Sequence, residues 1–113
     1  MHEFSLAQQI IDITKNAVID AGKEEAISIT LEIGQLAGIE KSALLTALQS
    51  FRNQPMFKAT QFQFIDISGK ARCNVCHREY ELETIYTLCP KCQSFEKEVL
   101  SGKEFRIQKI EAE

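Results

Sequence analysis

No part of this 113-residue chain is crowded with lysine or arginine, none forms a long apolar run, and no segment repeats or falls to low complexity. The first absence bears on partners. With 13 basic against 16 acidic residues, there is no basic face to neutralise phosphates, so no nucleic-acid role is expected. The second absence bears on location. The chain opens Met1-His2-Glu3, an acid where a signal peptide carries basic residues, and no following run serves as a signal core or spans a bilayer. The expectation is a cytoplasmic protein without a membrane role. A hydrophobic content of 44 % is enough for a core, and the length fits one ordinary domain or a small domain carrying a smaller module.

All four cysteines lie in the last third, as Cys73-Asn74-Val75-Cys76 and Cys89-Pro90-Lys91-Cys92. Two residues between sulfurs let one tight turn aim two thiolates at a single ion, and two such turns complete a tetrahedral shell whose usual occupant is zinc. No cysteine is left over. Disulfides are disfavoured because nothing points to secretion; an iron site of the same geometry and a thiol switch remain as alternatives. A redox dithiol usually opens a helix in a thioredoxin-like pattern, and neither pair does so. His77, directly after Cys76, reads as a solvated knuckle residue, with a substitute zinc ligand as the alternative.

Apolar residues at Leu6, Ile10, Ile13 and Ala17, flanked by Ala7, Ile11, Thr14 and Val18, predict an amphipathic helix from about Phe4 to Ala21, with Gly22 as a left-handed cap. Ile27, Ile29, Leu31 and Ile33 alternate with Ser28, Thr30 and Glu32, the pattern of a strand with one buried face ended by Gly34. Glu40 to Arg52 returns to helical spacing through Leu44, Ala47, Leu48 and Phe51, closed downstream by Pro55. Gln61 to Ile67 reads as a second strand whose alternation slips, which implies a bulge or burial on both faces. Glu104 to Glu111 reads as a third strand. The expected class is α+β, a small three-stranded sheet with two helices plus an inserted four-cysteine zinc-ribbon module. The corresponding domains are 1–69 with 103–113, and 70–102.

The amino terminus offers a second set of donors. The bulk of His2 opposes removal of Met1, so a free amine is followed directly by an imidazole. A metal bound by the Met1 amine, the His2 amide nitrogen and His2 Nδ1 closes two adjoining chelate rings. The Glu3 amide, its carboxylate or a partner group supplies a fourth donor. Such nitrogen donors in a tetragonal arrangement favour Ni(II) or Cu(II), with availability selecting between them. The bland alternative is an incidental histidine at a frayed terminus.

MHEFSLA at the start, LEIGQLAGIE in the middle, CNVC and CPKC, and VLSGKEFRI near the end together resemble the HypA/HybF family of hydrogenase nickel-incorporation proteins over the whole length. The resemblance implies a metallochaperone, not an enzyme, that delivers Ni2+ to the large-subunit precursor of [NiFe]-hydrogenase with the HypB-type GTPase, some members also serving urease. It implies a nickel site at Met1, His2 and Glu3, and structural Zn2+ on Cys73, Cys76, Cys89 and Cys92. The expected assembly is a monomer or weak homodimer. Family knuckles often place glycine after the second cysteine, whereas His77 and Gln93 stand here, so a positive φ there carries modest strain. The competing function is a zinc-ribbon adaptor without a nickel role.

Overall fold

The computed structural model describes residues 2–113, which form two compact units: 2–31 with Ile39–Phe64 and Ile107–Glu113, and Glu32–Gly38 with Ile65–Arg106. In the first unit, helix α1 (Glu3–Asp20) buries Ala7, Ile10, Ile11, Thr14 and Val18. The buried stripe is therefore the row through Ile11 and Val18, with Ile10; Ile13 stays 55 % exposed. At its end Gly22 adopts φ 72°, and its amide bonds Ile19 O while that of Lys23 bonds Val18 O at 3.0 Å. These two bonds satisfy carbonyls that the helix cannot pair internally.

Helix α2 (Lys41–Gln49) starts on a Glu40 N-cap and continues into two short 3-10 turns, Ser50–Asn53 and Pro55–Phe57. Pro55 thus opens the second turn, where its fixed φ suits a first helical position. Leu44, Leu48, Phe51 and Phe57 are buried, and α1 packs against α2.

Strands β1 (Ala26–Gly34), β2 (Gln61–Ile67) and β6 (Phe105–Ala112) form one sheet in the order β2-β1-β6. Thr60 Oγ1 bonds Ala26 O near one end of the β1/β2 pair, and Gln35 N bonds Ile67 O near the other. β2 therefore runs parallel to β1, with α2 in the crossover, as a parallel pair requires. Bonds from Gly34 to Glu104 and from Glu25 to Glu113 make β6 antiparallel. The expectation of one buried face on β1 does not hold. Ser28 is 6 % and Thr30 4 % exposed, because β1 is central and side chains of its neighbours cover the polar face: Ser28 Oγ donates to Glu111 Oε1 and Thr30 Oγ1 to Gln63 Oε1. On β2, Phe62, Phe64 and Ile67 are half-buried while Ile65 is exposed. The slip in alternation falls where the chain passes from the first unit to the second.

In the second unit the cysteine segment builds a sheet of its own, with strands β3 (Gly69–Cys73), β4 (Glu79–Leu82) and β5 (Lys97–Ser101) in the order β4-β3-β5. All pairings are antiparallel, with Ala71 opposite Tyr80 on one side and Val99 on the other. One face buries Ala71, Cys73, Tyr80, Leu82 and Cys89, with Leu36, Cys76 and Val99 packed against them. On the other, Arg72 pairs with Glu79 at 3.1 Å and Glu98 at 3.2 Å, exposed pairs worth at most about 1 kcal/mol each. Gly34, Gly69 and Gly102 meet at the base of this sheet. A Cβ on Gly34 would lie 1.9 Å from Gly102 O, and one on Gly102 would lie 2.6 Å from Gly69 Cα. Only glycine permits that approach.

Candidate metal centres

Each cysteine pair sits on a turn that folds back on its own first sulfur. Cys73 Sγ accepts from the amides of Val75 and Cys76 at 3.3 and 3.4 Å. His77 N bonds Cys73 O at 3.0 Å, and Gln93 N bonds Cys89 O at 2.8 Å. Closing these turns requires a left-handed residue after the second cysteine of each pair: His77 has φ 65° and Gln93 φ 61°. The strain expected where glycine is missing is therefore present at both knuckles.

The turns bring the four sulfurs together. Cys73 and Cys92 Sγ are 3.5 Å apart, Cys76 and Cys89 Sγ 3.6 Å, and all four lie within 4.8 Å of one another. A tetrahedral zinc shell with Zn–S near 2.3 Å has sulfur–sulfur edges of about 3.8 Å, so the cluster fits that ion. All four are free thiols, well beyond the ~2.05 Å of a disulfide. His77 is exposed and is not part of this donor group.

The environment favours thiolate at the buried members. The Cys76 amide chiefly draws the Cys73 thiol below its ordinary value, against the cost of burial. The Cys92 amide does the same for Cys89, taking it down to about 6. At Cys92 the Ser94 amide also pulls downward, but sharing protons with Cys73, burial, and the remaining cysteines outweigh it and push the thiol up to about 11. Tyr80 packs into the same cluster with its hydroxyl buried and without a hydrogen-bond partner. Burial first, then the cysteine charges, raise its pKa, so the phenol stays neutral. Tyr80 and Leu82 alternate with Glu79 and Glu81, a period-two signal in sequence too short to stand out.

At the amino terminus, Met1 lies outside the described residues. His2 is exposed and serves as N-cap of α1 at φ −112°, ψ 42°, without a side-chain capping bond. Its imidazole is therefore not committed to the helix. Glu3 differs. It is 9 % exposed, its Oε2 accepts from the Glu40 amide at 3.1 Å, and that bond is the main cause holding its carboxyl below the usual range. The Glu40 carboxylate in turn accepts from Ser42 Oγ at 2.6 Å and Ser42 N at 3.0 Å, and these bonds lower its pKa. No spacing in the sequence connects residues 3 and 40, so this link is visible only in the fold.

A family model described as "Hydrogenase/urease nickel incorporation, metallochaperone, hypA" matches residues 1–112. The chain belongs to the HypA family. Hydrogenase maturation factor HypA of Francisella philomiragia subsp. philomiragia is 34 % identical over 110 residues, 97 % of each chain. Among solved structures, the solution structure of the Ni metallochaperone HypA from Helicobacter pylori aligns with TM-score 0.68 and 21 % identity, covering 99 % of this chain and 97 % of that one. A second solution structure of HypA protein aligns with TM-score 0.71 and 22 % identity over 99 % and 96 %. These two likenesses concern the fold. Nickel incorporation by a metallochaperone is the HypA family's function, and the four-cysteine cluster fits its structural zinc. The reading as an adaptor without a nickel role is not favoured.

Proposed function

We propose that this chain carries Ni2+ at its amino terminus, on the Met1 amine and the His2 amide and Nδ1 nitrogens with Glu3 beside them, and delivers it during [NiFe]-hydrogenase maturation. The ion is cargo, and no turnover is involved. Its delivery partners are the large-subunit precursor, which receives the ion, and a HypB-type GTPase, all in the cytoplasm. Residues 1–69 with 103–113 act as the nickel-binding domain. Residues 70–102 act as a zinc ribbon in which Cys73, Cys76, Cys89 and Cys92 hold a structural ion and present a docking surface. Zinc in such a shell fixes the ribbon's fold.

The observation that carries this reading is the exposed, uncapped His2 at the start of α1 in a chain that matches the HypA family from its first residue. The division is chemically sensible. A closed four-thiolate shell holds its ion too firmly for delivery, whereas an exposed terminus with an unfilled position can pass one on. The test is His2→Ala: tight nickel binding is lost while zinc content and helical signal stay intact. Zinc loss in that variant, or unchanged nickel affinity, sinks the assignment.

A further inference from the structure

Tyr80 carries the one buried side-chain oxygen or nitrogen among the described residues that has no hydrogen-bond partner. Buried polar groups are nearly always paired, so such an exception has a cause. The Tyr80 ring lies on the buried face of the ribbon sheet, opposite Ala71, and Cys73 is two residues further along β3 on that face. An aromatic side chain reaches such a diagonal neighbour across an antiparallel pair. Ala71, Leu82, Leu36 and Val99 offer no side-chain acceptor; of the side chains packed in this cluster, only the cysteines do. Cys73 and Cys89 are fully buried, and their charges bear on the phenol more strongly than those of Cys92 and Cys76.

Sulfur accepts a hydrogen bond weakly as a thiol and far better as an anion, and zinc takes cysteine as thiolate. We propose that Tyr80 is a positioning residue for the zinc centre: its hydroxyl donates to the buried thiolates of Cys73 and Cys89 when they hold the ion. The phenol keeps its proton and draws sulfur charge towards it. A thiolate bonded in this way is a poorer base, so protons compete less well with the metal. Neither sulfur stands in bonding geometry to the hydroxyl in this structure, so the ring turns or the knuckles settle slightly on loading. This rests on the four-cysteine zinc assignment.

Tyr80→Phe removes the hydroxyl and keeps the ring, so the sheet's packing survives. Two measurements are made on full-length protein: zinc affinity by competition with a chromogenic chelator, and the sulfur-to-cobalt charge-transfer band of the cobalt-loaded form. Tyr80→Phe should weaken zinc by about 10-fold, the lower end of the loss when a hydrogen-bond partner of a metal ligand is removed. It should also move the band to lower energy, because sulfur electrons released from the donor are more easily given up. Tyr86, the other tyrosine, is 72 % exposed, and Tyr86→Phe should change neither. A hydroxyl that is simply unpaired costs stability, so its removal would leave zinc binding equal or tighter with the band unmoved; that result would overturn the proposal. Weaker zinc with an unmoved band, the mark of lost packing alone, would overturn it too, as would an equal effect from Tyr86→Phe. Fewer than four sulfurs around cobalt in the parent, read by X-ray absorption, would overturn the four-cysteine assignment itself and the proposal with it.

Discussion

Gly34→Ala places a methyl group where the backbone leaves no room. Its Cβ would lie 1.9 Å from Gly102 O and 2.8 Å from Glu104 N, both main-chain atoms that cannot rotate away. The segments would have to separate by more than an ångström. Two main-chain bonds join them at this point: Gly34 N to Glu104 O and Leu36 N to Gly102 O, each 2.7 Å. Losing both, in a region where Gly34 and Gly102 are buried, costs about 2–5 kcal/mol. Leu36 also packs against the ribbon's core, so its displacement adds to the loss. In urea, the zinc-loaded variant should unfold with its midpoint lowered by roughly 1–2 M. A Gly34→Ala protein within about 0.5 kcal/mol of the parent, the range of an ordinary surface change, would refute the close approach of these strands.

Cys76→Ala or Cys92→Ala should leave residues 70–102 disordered or the protein poorly soluble, because structural zinc contributes on the order of 10 kcal/mol to folding; a well-ordered ribbon lacking zinc, seen by amide NMR with metal analysis, contradicts this. Replacing His77 or Gln93 by glycine should stabilise the zinc-loaded ribbon by about 0.5–1 kcal/mol each, the left-handed strain relieved less the entropy that glycine adds to the unfolded chain, read as a raised urea midpoint. The folded-state pKa values of Glu3 and Glu40 lie below the ordinary carboxylate value of 4.5, so both stabilise the fold above that pH, and the contribution fades as pH falls through their lowered values. Urea titrations at stepped pH should therefore show a loss below about pH 4.5 that is smaller in Glu3→Gln, whose amide does not titrate.

The elements whose residues repeat against one partner are legible in the sequence. α1 shows its helical stripe, β2 its bounds at Gln61 and Ile67, and the two cysteine turns the convergence of their four sulfurs. What the sequence hides is set by neighbours distant along the chain. Ser28 and Thr30 look like an outward face, yet Glu111 and Gln63 cover them. Strands β3, β4 and β5 are only five, four and five residues long, too short for alternation to stand out between metal-binding turns. Glycines 34, 69 and 102 carry no periodic signal, since their role is the approach of backbones far apart in sequence. At the candidate nickel terminus, the exposed imidazole of His2 follows from its position, but the commitment of the Glu3 carboxylate to Glu40 requires the packing of α1 on α2.

Whether nickel is held by a free amino terminus is decided by calorimetric nickel titration of three versions of the protein: untagged, amino-terminally extended, and carboxy-terminally tagged, all with zinc content measured. An extension replaces the amine with a poorer donor and buries His2 within a longer chain. The untagged and carboxy-terminally tagged proteins should bind nickel alike. The extended protein should keep its zinc and lose high-affinity nickel. Equal nickel affinity in all three versions would place the site elsewhere in the chain.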